Sequence, residues 1–385
     1  MNEFDAIVVG GGLIGAAIGF ELAGEKLRVA VLDRQEPGRE ASWAAAGMLS
    51  PGPDSPEALA MVPLARESFR LYPEFVAAVE DAAGTAVNYA REGTFEVFFG
   101  AHAEGECENM IREYRRLGLE IEAISRDAAR GLEPSLGQSA EAIAWLPDEA
   151  TVDPRLLTQA VLAAANRRGA EIRSGCAVDS VWFENGNCSG VISGGEKVKA
   201  KHVVIAAGSF CGGVKASGNG SDKRLTRYAP VHPVRGQMIA LRSEKVKLKK
   251  VLRSKNGYLV PRPGGDIIAG STLEDAGFAK QVTPDGIGKI LAGVAELAPA
   301  LVEAEIVDRW AGLRPGSPDH LPIIGPTDIS GLLIATGHYR NGILLAPVTA
   351  KIVRDWIVSG KAEFSSATFS PLRFTAERSR AELPH

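Results

Sequence analysis

The chain has 385 residues, of which 45% are hydrophobic and 23% charged, and its formal net charge is -4 at pH 7. That length allows two domains or one domain with a large insertion, and the mild acidity speaks against a nucleic-acid-binding surface. No stretch approaches the roughly 18 apolar residues of a membrane span. Met1 to Asp5 enters an apolar run with neither a basic leader nor a cleavage site, so a cytoplasmic location is expected.

The first three elements read as a βαβ unit. Ala6 to Val9 is a buried-type strand, Leu13 to Leu22 has helical apolar spacing, and Leu27 to Leu32 is a second strand ending at Asp33. A Gly, Pro and Ser-rich passage, Ser50 to Pro56, leads into an amphipathic helix over Leu64 to Val79. Gly93 to Phe99 alternates like a strand, and Asn109 to Leu117 and Pro154 to Arg168 read as helices. Strands follow around Ile172, Val178 to Phe183, Val191 and Val203 to Ala206. The polar segment Lys215 to Arg227 suits a surface loop, and the basic run Lys245 to Lys250 a solvated face. Further strands are expected at Gln237 to Leu241, Tyr258 to Val260 and Asp266 to Ala269, and a helix over Asp285 to Ala298. The tail returns to a strand, Leu332 to Ala335, and a helix, Gly342 to Val358. No internal repeat is evident. Nucleotide-type elements at both ends and in the middle enclose β-rich material, so a discontinuous cofactor domain is expected.

Gly10-Gly11-Gly12-Leu13-Ile14-Gly15 lies between the first strand and helix. Gly10 permits a tight turn, Gly12 lets a pyrophosphate approach the helix N-terminus, and Gly15 allows close packing of helix on strand. Asp33 stands where a carboxylate accepts from ribose hydroxyls. This pattern by itself does not separate NAD from FAD. Cys107, Cys176, Cys188 and Cys211 show no metal or redox spacing, and His232 and His338 lack companions at ligand spacing, so no metal is expected and a structural role is the simplest reading for all six.

Four further segments occur in the order seen in the D-amino-acid oxidase superfamily of FAD-dependent amine oxidoreductases. They are Ala41-Ser42-Trp43-Ala44-Ala45-Ala46-Gly47-Met48, His202 to Gly208, Gly312-Leu313-Arg314-Pro315-Gly316-Ser317-Pro318-Asp319 and Gly337-His338-Tyr339-Arg340-Asn341-Gly342-Ile343-Leu344. The chain resembles that superfamily over nearly its whole length, and within it the glycine oxidase family of thiamine biosynthesis. The resemblance implies an α/β and α+β fold with a glutathione-reductase-type FAD-binding domain (1-85, 145-225 and 308-385). A discontinuous antiparallel-sheet substrate domain would take 86-144 and 226-307. It also implies a cofactor site at Gly10, Gly12, Leu13, Ile14, Gly15, Asp33, Arg34, Ala41, Ser42, Ala45, Ala46, Gly47 and Met48. Val178, Ala206, Ala207, Gly208, Gly337, His338, Arg340, Asn341, Gly342, Ile343 and Leu344 would complete that site.

The residues suit these roles on chemical grounds. Small side chains from Ala44 to Gly47 let backbone amides approach a flat ring, although a helix-packing face would need them too. The Gly337 to Gly342 turn and the helix after it can set N-H groups toward the pyrimidine side of a flavin, unless it is a simple connecting turn. Arg314 is expected to clamp a substrate carboxylate with two parallel hydrogen bonds, the alternative being a structural ion pair. Tyr258 would assist it and Arg340 would lie near substrate and flavin, while a core aromatic and a surface ion pair are their alternatives. Leu273 stands where the best-known family pattern has methionine, and Asn256 replaces a histidine nearby, so fine substrate preference stays open.

With no acid-base residue required, the resemblance implies hydride transfer from the amino-acid Cα to flavin. Glycine, sarcosine and D-alanine are the expected substrates, and glyoxylate, ammonia and hydrogen peroxide the products from glycine in air. The FAD is expected to be non-covalent, since Arg34 to Met61 holds no histidine and Arg314 to Gly325 no cysteine. The partners implied are a small amino acid and oxygen, with no nucleic acid and no membrane span. A homo-oligomer is admissible, a tetramer by resemblance. The alternatives are another D-amino-acid or N-methyl-amino-acid oxidase or dehydrogenase, a flavoenzyme acting on modified tRNA, and a flavin-binding sensor without catalysis.

Overall fold

A computed structural model describes residues 3–53, 55–217, 225–364 and 367–375. The apolar run Phe4–Val9 forms strand β1, helix α1 covers Leu13–Gly24, and Val29–Leu32 forms strand β2. β1 pairs in parallel with β2 on one side and with the strand Glu196–Ile205 on the other. Leu332–Thr336 and Glu171–Arg173 extend the parallel core outward. The complete sheet has nine strands. Its central parallel strands β1, β2 and Leu332–Thr336 are buried on both faces and read as continuous apolar runs, as parallel sheets require. Helices α1, Val62–Ala83, Pro154–Arg167 and Ala346–Ser359 supply much of one covering layer.

A second sheet has eight strands. It is antiparallel except where Val251–Ser254 runs parallel to Thr94–Phe98. Side chains alternate across it with the period of two that a strand imposes. Ile239, Leu241 and Leu259 enter a core beneath the helix Pro284–Leu297, while Met238, Ala240, Tyr258 and Val260 face the segment around Ala44 and Ala46. The sheet therefore packs one face into its own core and turns the other toward the nucleotide-type half. No described helix is long and apolar enough to cross a membrane.

Several expectations shift. The helix expected from Gly342 starts at Ala346, because residues 342–345 form a turn with Pro347 opening the first helical turn. Two carbonyls of that turn are held from the helix Val62–Ala83, with Ser68 Oγ donating to Leu344 O at 2.6 Å and Tyr72 Oη to Ile343 O at 3.2 Å. The helix expected from Asn109 begins at Ala103, with Glu104 and Glu106 in its first turn and Arg115 and Arg116 in its last, the charge order a helix dipole favours. The twelve-residue strand Glu305–Gly316 was not foreseen. It contains Pro315 and two glycines, Gly312 and Gly316, which suggest a turn, but it lies at the sheet edge, where a missing N-H is tolerated. A domain boundary at 308 would cut this strand. Of the polar segment Lys215 to Arg227, residues 218–224 lie outside the described residues; Lys215–Ser217 is a short strand and Leu225–Arg227 a single 3-10 turn. In the basic run Lys245, Lys247 and Lys249 are exposed, while Val246 and Leu248 between them are buried.

Candidate active site

The carboxyl ends of β1, of Glu196–Ile205 and of Leu332–Thr336 open onto a cavity of about 1470 Å³, walled on the far side by the eight-stranded sheet. Ligand crevices in doubly wound sheets form at such strand ends. At the nucleotide end Gly10 has a φ of +107°, and a Cβ there would approach Ala206 O to 2.6 Å. A Cβ on Gly15 would fall on Gly10 O, so Gly15 serves helix-to-strand packing and does not line the cavity. Gly12 caps α1 without a side-chain hydrogen bond, and Ser42 Oγ accepts from Leu13 N-H at 2.9 Å. Asp33 Oδ2 accepts from Gly11 N-H at 2.8 Å and Oδ1 from Gln35 N-H at 3.0 Å. A carboxylate has about four acceptor sites, so Asp33 keeps capacity for ribose hydroxyls. The helix N-terminus, the close-packed glycines and the small residues Ala44 to Gly47 along the wall fit a dinucleotide with a flat ring system.

The other end is built by strand alternation. Gly236 and Met238 from His232–Arg242, Tyr258 from Gly257–Pro261, and Gly312 and Arg314 from Glu305–Gly316 all line the cavity. Tyr258 and Met238 are both paired with Gly270, and the Tyr258 hydroxyl lies 3.1 Å from Met238 Sδ across this residue without a side chain. Arg314 donates from Nη2 to Ser271 Oγ at 2.8 Å and from Nη1 to Thr272 O at 3.3 Å. Among the described residues no carboxylate pairs with it. Burial, with Arg340 nearby, pushes the Arg314 guanidinium below its ordinary range, and Tyr258 and Tyr339 oppose that shift. A guanidinium stays protonated even so, and a cation desolvated without a counter-ion is costly.

Arg340, Asn341, Gly342, Ile343 and His338 also line the cavity, as do Leu13, Ile14, Arg34, Ala41, Ser42, Met48, Val178, Ala207 and Gly208. Burial pushes the His338 imidazole down to about 3, and its Nε2 lies 3.0 Å from Thr349 Oγ1, so it is a neutral ring. Gly337, with a φ of +72°, and buried Leu344 shape the turn from outside the cavity. Leu273 is 61% exposed and does not reach the cavity, so its difference from methionine is not a difference in the wall. Asn256 lines the cavity, with Nδ2 donating to Glu296 Oε2 at 2.8 Å.

Met238, Ser271, Gly236, Phe210 and Phe278 line the cavity as well and were not singled out from sequence. Gly236 carried a readable signal, because a glycine inside a strand marks close approach of another group. The contacts of Ser271 depend on chain crossings that no local pattern encodes. Among the described residues no group of three or more His, Cys, Asp or Glu could hold a metal ion.

The family model for FAD dependent oxidoreductase matches residues 5–356. A bifunctional protein ThiO/ThiG from Trichormus variabilis is 35% identical over 98% of this chain, which spans only 56% of that protein's length. The chain thus spans about half the length of the first curated relatives it matches. A glycine oxidase from Geobacillus kaustophilus is 33% identical over 97% of both chains. The crystal structure of glycine oxidase from that organism superposes with a TM-score of 0.89, covering 97% of this chain and 99% of the other at 30% identity.

Proposed function

This chain belongs to the FAD dependent oxidoreductase family, and from that membership we propose that it oxidises small amino acids, glycine first, to the corresponding oxo acid and ammonia. The observation that carries the reading is Arg314, a half-buried cation without a carboxylate partner among the described residues, set in the same cavity as the dinucleotide cradle. A substrate carboxylate would supply the missing charge and take two parallel hydrogen bonds. Tyr258 would add a hydroxyl to that carboxylate, and Arg340 a second positive charge nearby.

FAD, when bound, supplies the two-electron acceptor, and oxygen then takes the electrons. Glycine, oxygen and water would give glyoxylate, ammonia and hydrogen peroxide. The chain's own contribution is to bind and orient: Arg314 would fix the carboxylate, and the eight-stranded sheet would hold the amino acid against the small-residue wall at Ala44 to Gly47. No side chain is assigned as acid or base. We take residues 1-85, 145-225 and 308-385 as the FAD-binding part, with the strand Glu305–Gly316 lent to the substrate sheet, and 86-144 and 226-307 as the substrate part.

The half-length match to a ThiO/ThiG protein supports a role in making the thiazole of thiamine. We further propose a cytoplasmic enzyme with non-covalent FAD, oxygen as co-substrate and a tetrameric assembly. An anaerobic titration with glycine, sarcosine and D-alanine, followed by flavin bleaching, tests the substrate class. Turnover of glycine in air should then yield glyoxylate, ammonia and peroxide in equal amounts. Bleaching only by a larger amine would overturn the glycine assignment and leave the family intact. FAD should be released intact by acid precipitation.

A further inference from the structure

Residues 271–283 connect the strand Asp266–Gly270 to the helix Pro284–Leu297, and the strand His232–Arg242 anchors them at both ends. Gln237 N-H donates to Thr272 Oγ1 at 2.9 Å, Gln237 Nε2 to Glu274 Oε1 at 2.7 Å, and Thr283 N-H to Gln237 Oε1 at 2.7 Å. Arg235 Nε donates to the other Glu274 oxygen at 2.8 Å. Between these anchors the segment reaches across to the nucleotide half. The Phe278 ring stacks on Phe210 with centroids 5.2 Å apart and planes 28° from parallel, and Lys280 Nζ lies 3.0 Å from Glu40 Oε2.

Phe210 belongs to the short turn that follows the strand Glu196–Ile205. The guanidinium of Arg34 lies over its ring, 3.6 Å from the centroid, and Arg34 also pairs with Glu40 at 2.9 Å. Arg34, Glu40, Phe210 and Phe278 all line the cavity, beside Asp33 and Val178. Phe278 is 57% exposed, so it is not a core residue. Aromatic rings and a planar guanidinium next to a ribose-accepting carboxylate are the chemistry that holds a purine nucleoside by stacking.

We propose that Phe278 is a cofactor-retaining residue. With Phe210 and Arg34 it closes the nucleotide end of the cavity, and the Lys280–Glu40 ion pair latches it there. The cofactor is then held from the substrate side as well as by the glycine cradle of α1. This rests on the FAD-binding reading above. The hold on Arg314 is separate, because Thr272, next to Ser271, is tied down by Gln237 at the start of the segment.

The test is the rate of FAD release from holoenzyme after dilution, read from the fluorescence of the freed cofactor. Phe278→Ala should release FAD about tenfold faster, the size of one lost stacking contact. Phe278→Trp should keep the parent rate, and Lys280→Gln should release FAD faster than the parent and more slowly than Phe278→Ala. The Phe278→Ala apoprotein should melt at the parent temperature. Parent-like release from both Phe278→Ala and Lys280→Gln would overturn the inference and leave the family reading standing. Faster release accompanied by an equal loss of apoprotein stability in both variants would also overturn it, as a fold effect. A parent chain that binds no FAD would overturn both readings.

Discussion

The guanidinium of Arg314 lies against the backbone of Gly236, and a Cβ built on Gly236 would fall on its Nη1. The two residues are on neighbouring strands, where Arg314 pairs with Val234 and Gly236 with Gly312, so they meet on the diagonal. A side chain at 236 and an arginine lying flat at 314 cannot share that space.

Gly236→Ala should therefore displace Arg314 without removing its charge. The expected result is a rise in KM for glycine of about tenfold or more, with kcat changed less and FAD retained, since a clamp moved by an ångström loses its two-pronged geometry. Steady-state kinetics of the purified holoenzyme, with sarcosine as a second carboxylate substrate, check this. An unchanged KM would mean that the position of Arg314 does not matter for substrate.

Arg314→Ala should keep FAD and lose about 2 to 5 kcal/mol of binding to carboxylate substrates, or about 30-fold to several thousand-fold. Lysine at this position should restore part of the loss. Oxidation of an amine without a carboxylate should fall far less. Equal losses for both kinds of substrate, with loss of FAD, would show Arg314 to be a support of the fold.

His338 links stability to acid. Burial lowers its imidazole from the ordinary 6.5 to about 3 in the folded chain. Between these values the unfolded state binds the proton and the folded state does not, so stability rises with pH across that window and is level with respect to this group above it. His338→Gln should flatten the dependence of urea midpoint on pH between about 6.5 and 3. Denaturation series at several pH values with both proteins would show it.

Arg253 sits between two carboxylates, with Nε 2.5 Å from Glu96 Oε2 and Nη1 3.1 Å from Glu149 Oε2. Glu149, whose side chain is 4% exposed, also takes the hydroxyl of Ser50. Arg253→Met would leave two largely buried carboxylates without their cation, at a cost of about 3 to 5 kcal/mol. Glu149→Gln should cost less, because Glu96 still balances the arginine and the amide oxygen can still accept from it. Urea unfolding monitored by tryptophan fluorescence compares the two.

The nucleotide half was legible from the chain itself because its signals are local. Gly10, Gly12 and Gly15 sit a few residues from an apolar strand and an apolar helix, and Asp33 ends the next strand, so periodicity and turn chemistry within about thirty residues specify that unit. The resemblance reached further, to Arg314, Tyr258 and Arg340, and the fold brings all three to one cavity. What no local pattern encodes is which distant strands become neighbours. The strand Glu305–Gly316 looks like a turn until it is known to be a sheet edge, and Leu273, a candidate from sequence, faces outward. The empty space above Gly236, the hydroxyl of Ser271 on Arg314 and the stack of Phe278 on Phe210 join residues from about 43 to about 78 positions apart. Such contacts follow from strand pairing and register, which the whole chain settles by burying its apolar faces together, and only the tertiary structure decides them.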